Sequence, residues 1–208
     1  MKVARAALSE LLARREVWRG QSAVVPEGEQ PTGWAALDAV LPTHGWPSAA
    51  VSEILFPMEG IGELHLVLPT LARLTRARRP VMLVSPPYLP CVTGWRQRGV
   101  QLGQLHVVQA GEADALWVAE QCLRSGSCGA VLSWPRKADD RALRRLQVAA
   151  DTGRALSFVF RAALHAGQAS PAALRLELTA HPDAAIWVRK CRGGHVSGKA
   201  VLFADLER

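Results

Sequence analysis

The chain has 208 residues, of which 49% are apolar, enough for one hydrophobic core with small appendages. It contains no run of about eighteen apolar residues, which excludes a membrane-spanning helix, and we expect no secretory signal because its first residues are amphipathic. The formal charge of +7 favours anionic partners such as nucleic acid, although an arginine-rich chain also acquires a basic surface without any such partner.

The cysteines indicate the compartment. Cys91, Cys122, Cys128 and Cys191 are widely spaced and form no C-x-x-C pair. This usage is typical of reduced thiols rather than of a disulfide framework. We therefore expect a cytoplasmic protein, in a bacterium, with association to the nucleoid as a further option.

The first segment, residues 2–19, predicts an amphipathic helix. Leu8, Leu11, Leu12 and Trp18 recur at three- and four-residue spacing, and a polar linker without periodicity follows up to residue 31. The apolar face either packs on the chain's own core or docks on a neighbouring protein. In the second case these four side chains are the contact residues.

Residues 32–161 alternate between short apolar runs and helical segments. Such alternation predicts βαβ units and a largely parallel sheet with helices on both faces, which is an α/β fold. The helix over 64–74 contains Pro69 and is expected to bend there. The predicted strands cover 51–55, 81–85, 105–109, 130–134 and 155–160, and the predicted helices cover 32–41, 64–74, 89–99, 112–125 and 139–152.

Residues 162–208 have a different pattern. After a loop, three strand-like runs cover 173–179, 184–191 and 199–203, and Leu174, Leu176 and Leu178 alternate with polar residues. Alternation of this kind predicts antiparallel strands at the C-terminal edge of the sheet. The chain is thus expected to comprise an N-terminal helix and linker (1–31), an α/β core (32–161) and a C-terminal loop with basic strands (162–208).

The turn over residues 57–62 lies where a nucleotide-binding P-loop would lie, between the first strand of the core and a helix. A P-loop, G-x-x-x-x-G-K-[ST], needs a lysine on the phosphates and a hydroxyl on Mg²⁺. Here Gly62 is the second glycine, Glu63 takes the lysine position and Leu64 the hydroxyl position. Because a carboxylate repels phosphate, we expect a nucleotide-binding scaffold without its chemistry, with no catalytic, cofactor-binding or metal-binding residues.

Basic residues are unevenly distributed, and each cluster is either a binding surface for DNA or an acidic protein, or a solvated face. The last strands carry Arg189, Lys190, Arg192 and Lys199 without an acid among them, and the helix over 139–152 carries Arg144 and Arg145. These six are the candidate contacts. Between Glu63 and Glu112 there is no acid, and that stretch contains Arg73, Arg76, Arg78, Arg79, Arg96 and Arg98.

The tryptophans are candidates for either core anchors or interface residues. Trp46 and Trp95 are assigned to turns, so we expect these two to be available for docking a partner. Tryptophans within predicted helices and strands, such as Trp117 and Trp187, are expected in the core.

The order of elements, with Thr32-Gly33-x-x-x-Leu37-Asp38 ahead of Gly45-x-Pro47 and the loop, resembles the ATP-binding core of RecA-type recombinases. Three catalytic positions of that family are changed. Glu63 replaces the lysine, Pro86 or Pro87 replaces the acid that activates water, and Ser133 or Trp134 replaces the aspartate of the magnesium site. The resemblance therefore implies a RecA-like core without ATPase activity.

Two families without ATPase residues resemble the chain further. The proline-broken run 64–74, Ser133-Trp134 and Ala149-Ala150-x-x-Gly153-x-Ala155-x-x-Phe158-x-x-Arg161 are similar to SulA, the division inhibitor that binds FtsZ. The size, the N-terminal helix and the tail with Arg189-Lys190-Cys191-Arg192-Gly193-Gly194 resemble ImuA over nearly the whole chain.

The ImuA resemblance implies a non-catalytic accessory protein of SOS-induced, error-prone translesion DNA synthesis. Its expected partner is ImuB, and through ImuB an error-prone replicative-type DNA polymerase. RecA, single-stranded DNA and a second copy of the chain are further candidates. The alternative is a SulA-like inhibitor that binds FtsZ.

Overall fold

The computed structural model describes residues 30–180, 183–196 and 198–206. The predicted N-terminal helix, with Leu8, Leu11, Leu12 and Trp18, lies outside these residues. Within them the helices are α1 Ala35–Val40, α2 Leu68–Arg76, α3 Val92–Gln97, α4 Ala115–Arg124, α5 Asp140–Gly153 and α6 Phe203–Leu206. The strands are β1 Val51–Phe56, β2 Val81–Val84, β3 Leu105–Val108, β4 Ala130–Ser133, β5 Leu156–Ala162, β6 Leu174–Thr179, β7 Ala185–Cys191 and β8 Ala200–Leu202.

The strands form one sheet in the order β3-β2-β4-β5-β1-β6-β7-β8. Strands β1 to β6 pair in parallel, whereas β7 and β8 are antiparallel to their neighbours. The predicted α/β class, with a largely parallel sheet and antiparallel strands at the C-terminal edge, is confirmed. Because β6 lies directly beside β1, residues 174–202 extend the same sheet as the strands of 32–161.

Helices cover both faces of the sheet. On one face, α1, α2, α3 and α6 pack on side chains such as Ile54 of β1 and Phe158 of β5. On the other face, α4 and α5 pack on Val51 and Val159 of the same two strands. Every residue of β1 is buried, and four of its six residues are apolar, as expected for a strand covered on both faces; Ser52 and Glu53 are the buried polar residues.

Helix α2 begins later than its sequence predicts. The helix was expected to start at residue 64 and bend at Pro69, but it starts at Leu68, so Pro69 lies in the first turn. A proline there causes no bend, because the first backbone N–H groups of a helix have no partner within it. Irregular turns such as Leu66 N–H to Gly62 O, at 3.3 Å, connect the preceding loop to the helix.

Gly153 sets the distance between α5 and α4. A Cβ atom added there would lie 1.8 Å from the carbonyl oxygen of Leu123. We expect Gly153→Ala to lower the free energy of unfolding by about 1–3 kcal/mol, because backbone must move to accept the methyl group. Without this close approach, the change would stabilise the helix, because alanine is more favourable than glycine in a helix by about 1 kcal/mol. A loss of stability therefore indicates the contact with Leu123.

Urea denaturation of the Gly153→Ala variant checks this expectation. The matched control is Gly167→Ala, since a Cβ there meets nothing within 4 Å. Equal denaturation midpoints for the two variants would contradict the proposed close approach of the helices.

Candidate functional site

The loop after β1 folds around its own carboxylate. Glu63 is 7% exposed, and its two carboxylate oxygens accept the N–H of Gly60 at 3.3 and 3.2 Å. Gly60 and Gly62 have φ angles of 83° and 104°, which favour glycine, and the Phe203 ring of α6 lies beside Gly62. A phosphate cradle needs free backbone N–H groups, whereas here Glu63 engages one of them and adds its own negative charge.

The ends of the neighbouring strands carry no catalytic carboxylate at the expected positions. Beyond β2, Ser85 exchanges hydrogen bonds of 3.0 Å with the backbone of Ala110, and Pro86 and Pro87 follow. At the end of β4, Ser133 is buried and Trp134 stacks on Phe160 with ring centroids 4.8 Å apart. Within residues 30–180, 183–196 and 198–206 no group of His, Cys, Asp and Glu is arranged to hold a metal ion.

Apolar side chains are exposed around this loop. Met58, Tyr88 and Leu89 are 62%, 70% and 79% exposed, and Val92 at the start of α3 is 58% exposed. A hydrogen bond from the Tyr88 hydroxyl to the Glu59 carboxylate joins the loop after β1 to the loop after β2, and it raises the pKa of Tyr88. We call these five residues the carboxyl-edge patch, and clustered exposed apolar side chains of this kind are typical of interaction surfaces.

The carboxyl-edge patch was not predicted from the sequence. A usable signal was present, because Pro-Pro-Tyr-Leu-Pro-Cys-Val places large apolar residues in a proline-rich loop that no helix or strand can bury completely.

The prediction that Trp46 and Trp95 are docking residues is wrong. Trp46 is fully buried, donates from Nε1 to Thr70 Oγ1 at 2.8 Å, and its ring meets that of Phe158 edge-on. Trp95 is 5% exposed, because it lies in helix α3, within the predicted helix 89–99, and faces the core. Among the described residues, the exposed tryptophans are instead Trp117, at 57%, and Trp187, at 37%.

Most of the predicted basic contacts already have partners within the chain. Arg189 pairs with Glu177 at 2.5 Å, and Lys190 Nζ donates to the carbonyl of Ser170 at 2.7 Å. On α5, Arg144 pairs with Asp140 and Arg145 with Glu120. Arg192 and Lys199 are exposed, and Lys199 also has an interaction within the chain. Exposed ion pairs contribute about 0–1 kcal/mol, so they exchange readily with an external anion.

The structure brings the two predicted basic clusters within electrostatic range. Burial is the largest cause that lowers the pKa of Lys190. The positive charges of Arg192 and Arg175 lower this pKa further, and so does the charge of Arg144 on α5. Lys190 on β7 is therefore close enough to Arg144 on α5 for the two charges to interact, and the Glu53 carboxylate offsets part of that repulsion.

A buried ionic cluster at the centre of the sheet was not predicted from the sequence either. Glu53 on β1 is fully buried, and its carboxylate accepts from Arg161 Nη1 at 2.5 Å and from Arg175 Nε at 2.7 Å. Arg175 also donates to the carbonyls of His165, Ala166 and Gln168, and Arg161 donates to that of Ala138. The cluster connects three adjacent strands to two loops.

The sheet and the loop together define an α/β protein with a largely parallel sheet, in which the Glu63 carboxylate closes the loop after β1. No family model matches the chain, and no curated protein matches it. Among solved structures, SulA from Pseudomonas aeruginosa is similar, at 30% identity over 56% of this chain and 99% of that chain, with a TM-score of 0.46. No helix among the described residues is long and apolar enough to cross a membrane.

Proposed function

We propose that this chain is a non-catalytic RecA-like accessory protein of SOS-induced, error-prone translesion DNA synthesis. It acts by binding ImuB, and through ImuB an error-prone replicative-type polymerase. RecA, single-stranded DNA and a second copy of the chain are further candidate partners.

The observation that supports a non-catalytic role is the position of Glu63. Its carboxylate is buried against the loop and accepts the Gly60 N–H, where ATP hydrolysis requires a lysine and free N–H groups. Leu64 supplies no hydroxyl for Mg²⁺. A RecA-like sheet retains surfaces for assembly without this chemistry, so binding is the activity that remains.

The carboxyl-edge patch supports a protein as the partner. Exposed aromatic and aliphatic side chains next to an acidic residue suit an interface whose anchors are apolar and whose rim is polar. Leu89 is the most exposed large apolar residue among those described, at 79%. Burying it against a partner removes apolar surface from water without disturbing the core.

The alternative is a SulA-like division inhibitor that binds FtsZ, and the sequence string that ends in Arg161 favours it. The residues of that string have structural roles here, since Gly153 allows α5 to approach α4, Phe158 lies in the core and Arg161 pairs with Glu53. Residues with structural roles of this kind indicate a shared fold and do not identify the binding partner. For this reason ImuB remains the first candidate.

Co-purification of the chain with ImuB, RecA and FtsZ, each separately at physiological salt, tests the proposal. We expect ImuB to be retained and FtsZ to wash through. Retention of FtsZ alone would establish the alternative. Micromolar binding of ATP–Mg²⁺ by the purified chain would contradict the non-catalytic assignment.

A single substitution locates the partner surface. We expect Leu89→Asp to weaken ImuB retention at least tenfold, because a carboxylate cannot be buried in an apolar contact. The matched control is Leu164→Asp, which changes a 77% exposed leucine outside the patch. Equal losses for both variants, or none for Leu89→Asp, would remove the patch from the interface.

A further inference from the structure

A second concave site lies at the opposite edge of the sheet, at the amino ends of the parallel strands. A hollow of about 220 Å³ is formed there by Ser48 before β1, Gly129 before β4, Leu156 at the start of β5, and the side chains of Arg79 and Arg154. It is separate from the carboxyl-edge patch, which lies where the same strands end.

The two arginines that line the hollow are held in place by the fold. Arg79 donates from Nη2 to the carbonyls of Cys128 and Arg154, at 3.4 and 3.3 Å. These bonds use one of its three nitrogens, so Nε and Nη1 retain donors for a ligand. Arg154 follows α5 in a left-handed conformation, with φ 53°, and its side chain is exposed.

A third arginine adds positive charge beside the hollow. Arg73 on α2 donates to Gln30 Oε1 at 2.6 Å, and Gln30 is itself part of the lining. Burial, and then the charge of Arg79, lower the pKa of Arg73. The guanidinium groups of Arg73 and Arg79 thus repel each other at the rim of the hollow.

In the described part of the chain, no carboxylate forms an ion pair with these three arginines. Like charges that converge on a polar hollow are stabilised by an anion. The planar guanidinium matches the oxygens of phosphate especially well.

We propose that the hollow lined by Arg79 and Arg154, with Arg73 at its rim, binds a phosphate group. The phosphate belongs either to the backbone of single-stranded nucleic acid or to a free phosphate compound. Arg78 precedes Arg79 in the sequence and is exposed, so it extends the positive surface towards solvent. An extended positive surface can contact several phosphates of one nucleic-acid strand. This site does not depend on the identity of the protein partner.

The test compares full-length variants that each remove positive charge. Arg154→Asn removes the guanidinium while keeping a residue that tolerates the left-handed conformation, and Arg73→Gln keeps a polar side chain. The double variant combines them and leaves Arg79 unchanged, since Arg79 also holds backbone carbonyls. The control is Arg141→Gln, an exposed arginine at the other end of α5.

The first measurement is the melting temperature in inorganic phosphate and in chloride at equal ionic strength. Phosphate stabilises many proteins by exclusion from their surface, so the informative quantity is the difference between variants. We expect the double variant to lose most of the rise in melting temperature that the wild-type chain and Arg141→Gln show. An equal rise in all three would overturn the proposal.

The second measurement identifies the source of the phosphate. A fluorescein-labelled single-stranded oligonucleotide is titrated at several salt concentrations. If the site binds nucleic acid, the slope of log K against log salt becomes shallower by about 0.7 for each phosphate that the double variant no longer neutralises. An unchanged slope, together with a lost response to inorganic phosphate, assigns the site to a free phosphate compound.

Discussion

Glu53→Gln is expected to lower the free energy of unfolding by about 3–5 kcal/mol, as removal of one partner from a buried ion pair does. The change leaves Arg161 and Arg175, which are 3% and 7% exposed, without their shared carboxylate. A buried guanidinium without a counter-charge keeps its desolvation penalty and loses the attraction that offset it. The amide of glutamine supplies one acceptor oxygen where the carboxylate supplied two.

The measurement is urea denaturation followed by circular dichroism. The matched control is Glu177→Gln, which removes the same charge from the exposed pair with Arg189 and is expected to cost about 0–1 kcal/mol. If Glu53→Gln were no more destabilising than Glu177→Gln, the cluster would contribute nothing specific to the fold.

A triple variant separates the cost of an unpaired charge from the value of the cluster. Replacing Glu53, Arg161 and Arg175 together by methionine removes every buried charge in the group. We expect this variant to recover part of the stability that Glu53→Gln loses, because buried ion pairs replaced by apolar residues are often neutral or stabilising. The remaining deficit measures the hydrogen bonds from Arg175 and Arg161 to loop carbonyls.

Trp46→Ala is the second change with a large expected effect. We expect it to lower the free energy of unfolding by about 3–5 kcal/mol, because it removes a large buried side chain. Trp46 is fully buried, packs edge-on against Phe158, and donates to Thr70. Its removal creates a cavity between α2 and the sheet and removes a buried hydrogen bond.

The control for Trp46→Ala is Trp117→Ala, since Trp117 is 57% exposed on α4. A surface substitution of this kind is expected to change stability by about 0.5 kcal/mol or less. Both variants are compared by denaturation and by retention of ImuB. Unchanged stability of Trp46→Ala combined with lost retention would restore Trp46 as a docking residue.

The alternation of apolar runs and helical segments was sufficient to predict the α/β class and the antiparallel strands at the C-terminal edge. Strands β1, β4 and β5 are buried on both faces except at Ala162, the last residue of β5, and most of their residues are apolar. Element boundaries were less accurate, as in α2, because Pro69 is compatible both with a bend and with a first turn.

Residues in loops were the hardest to place from the sequence. Trp46 was assigned to an exposed turn, but the turn lies against α2 and the sheet. Trp117 and Trp187 are exposed, although they were expected in the core. That expectation failed because membership of a helix or strand does not reveal which face of the element a neighbour covers. The carboxyl-edge patch combines two loops that follow different strands, β1 and β2.

The sequence by itself determined the class of fold and the absence of the P-loop lysine and hydroxyl, because periodicity and residue identity are local properties. Only the tertiary structure decided that Glu63 folds back on Gly60, that Glu53 pairs with Arg161 and Arg175, and that Arg73, Arg79 and Arg154 meet around one hollow. Most of these contacts join residues that are distant in the chain, and their strength depends on burial, which the order of strands in the sheet creates.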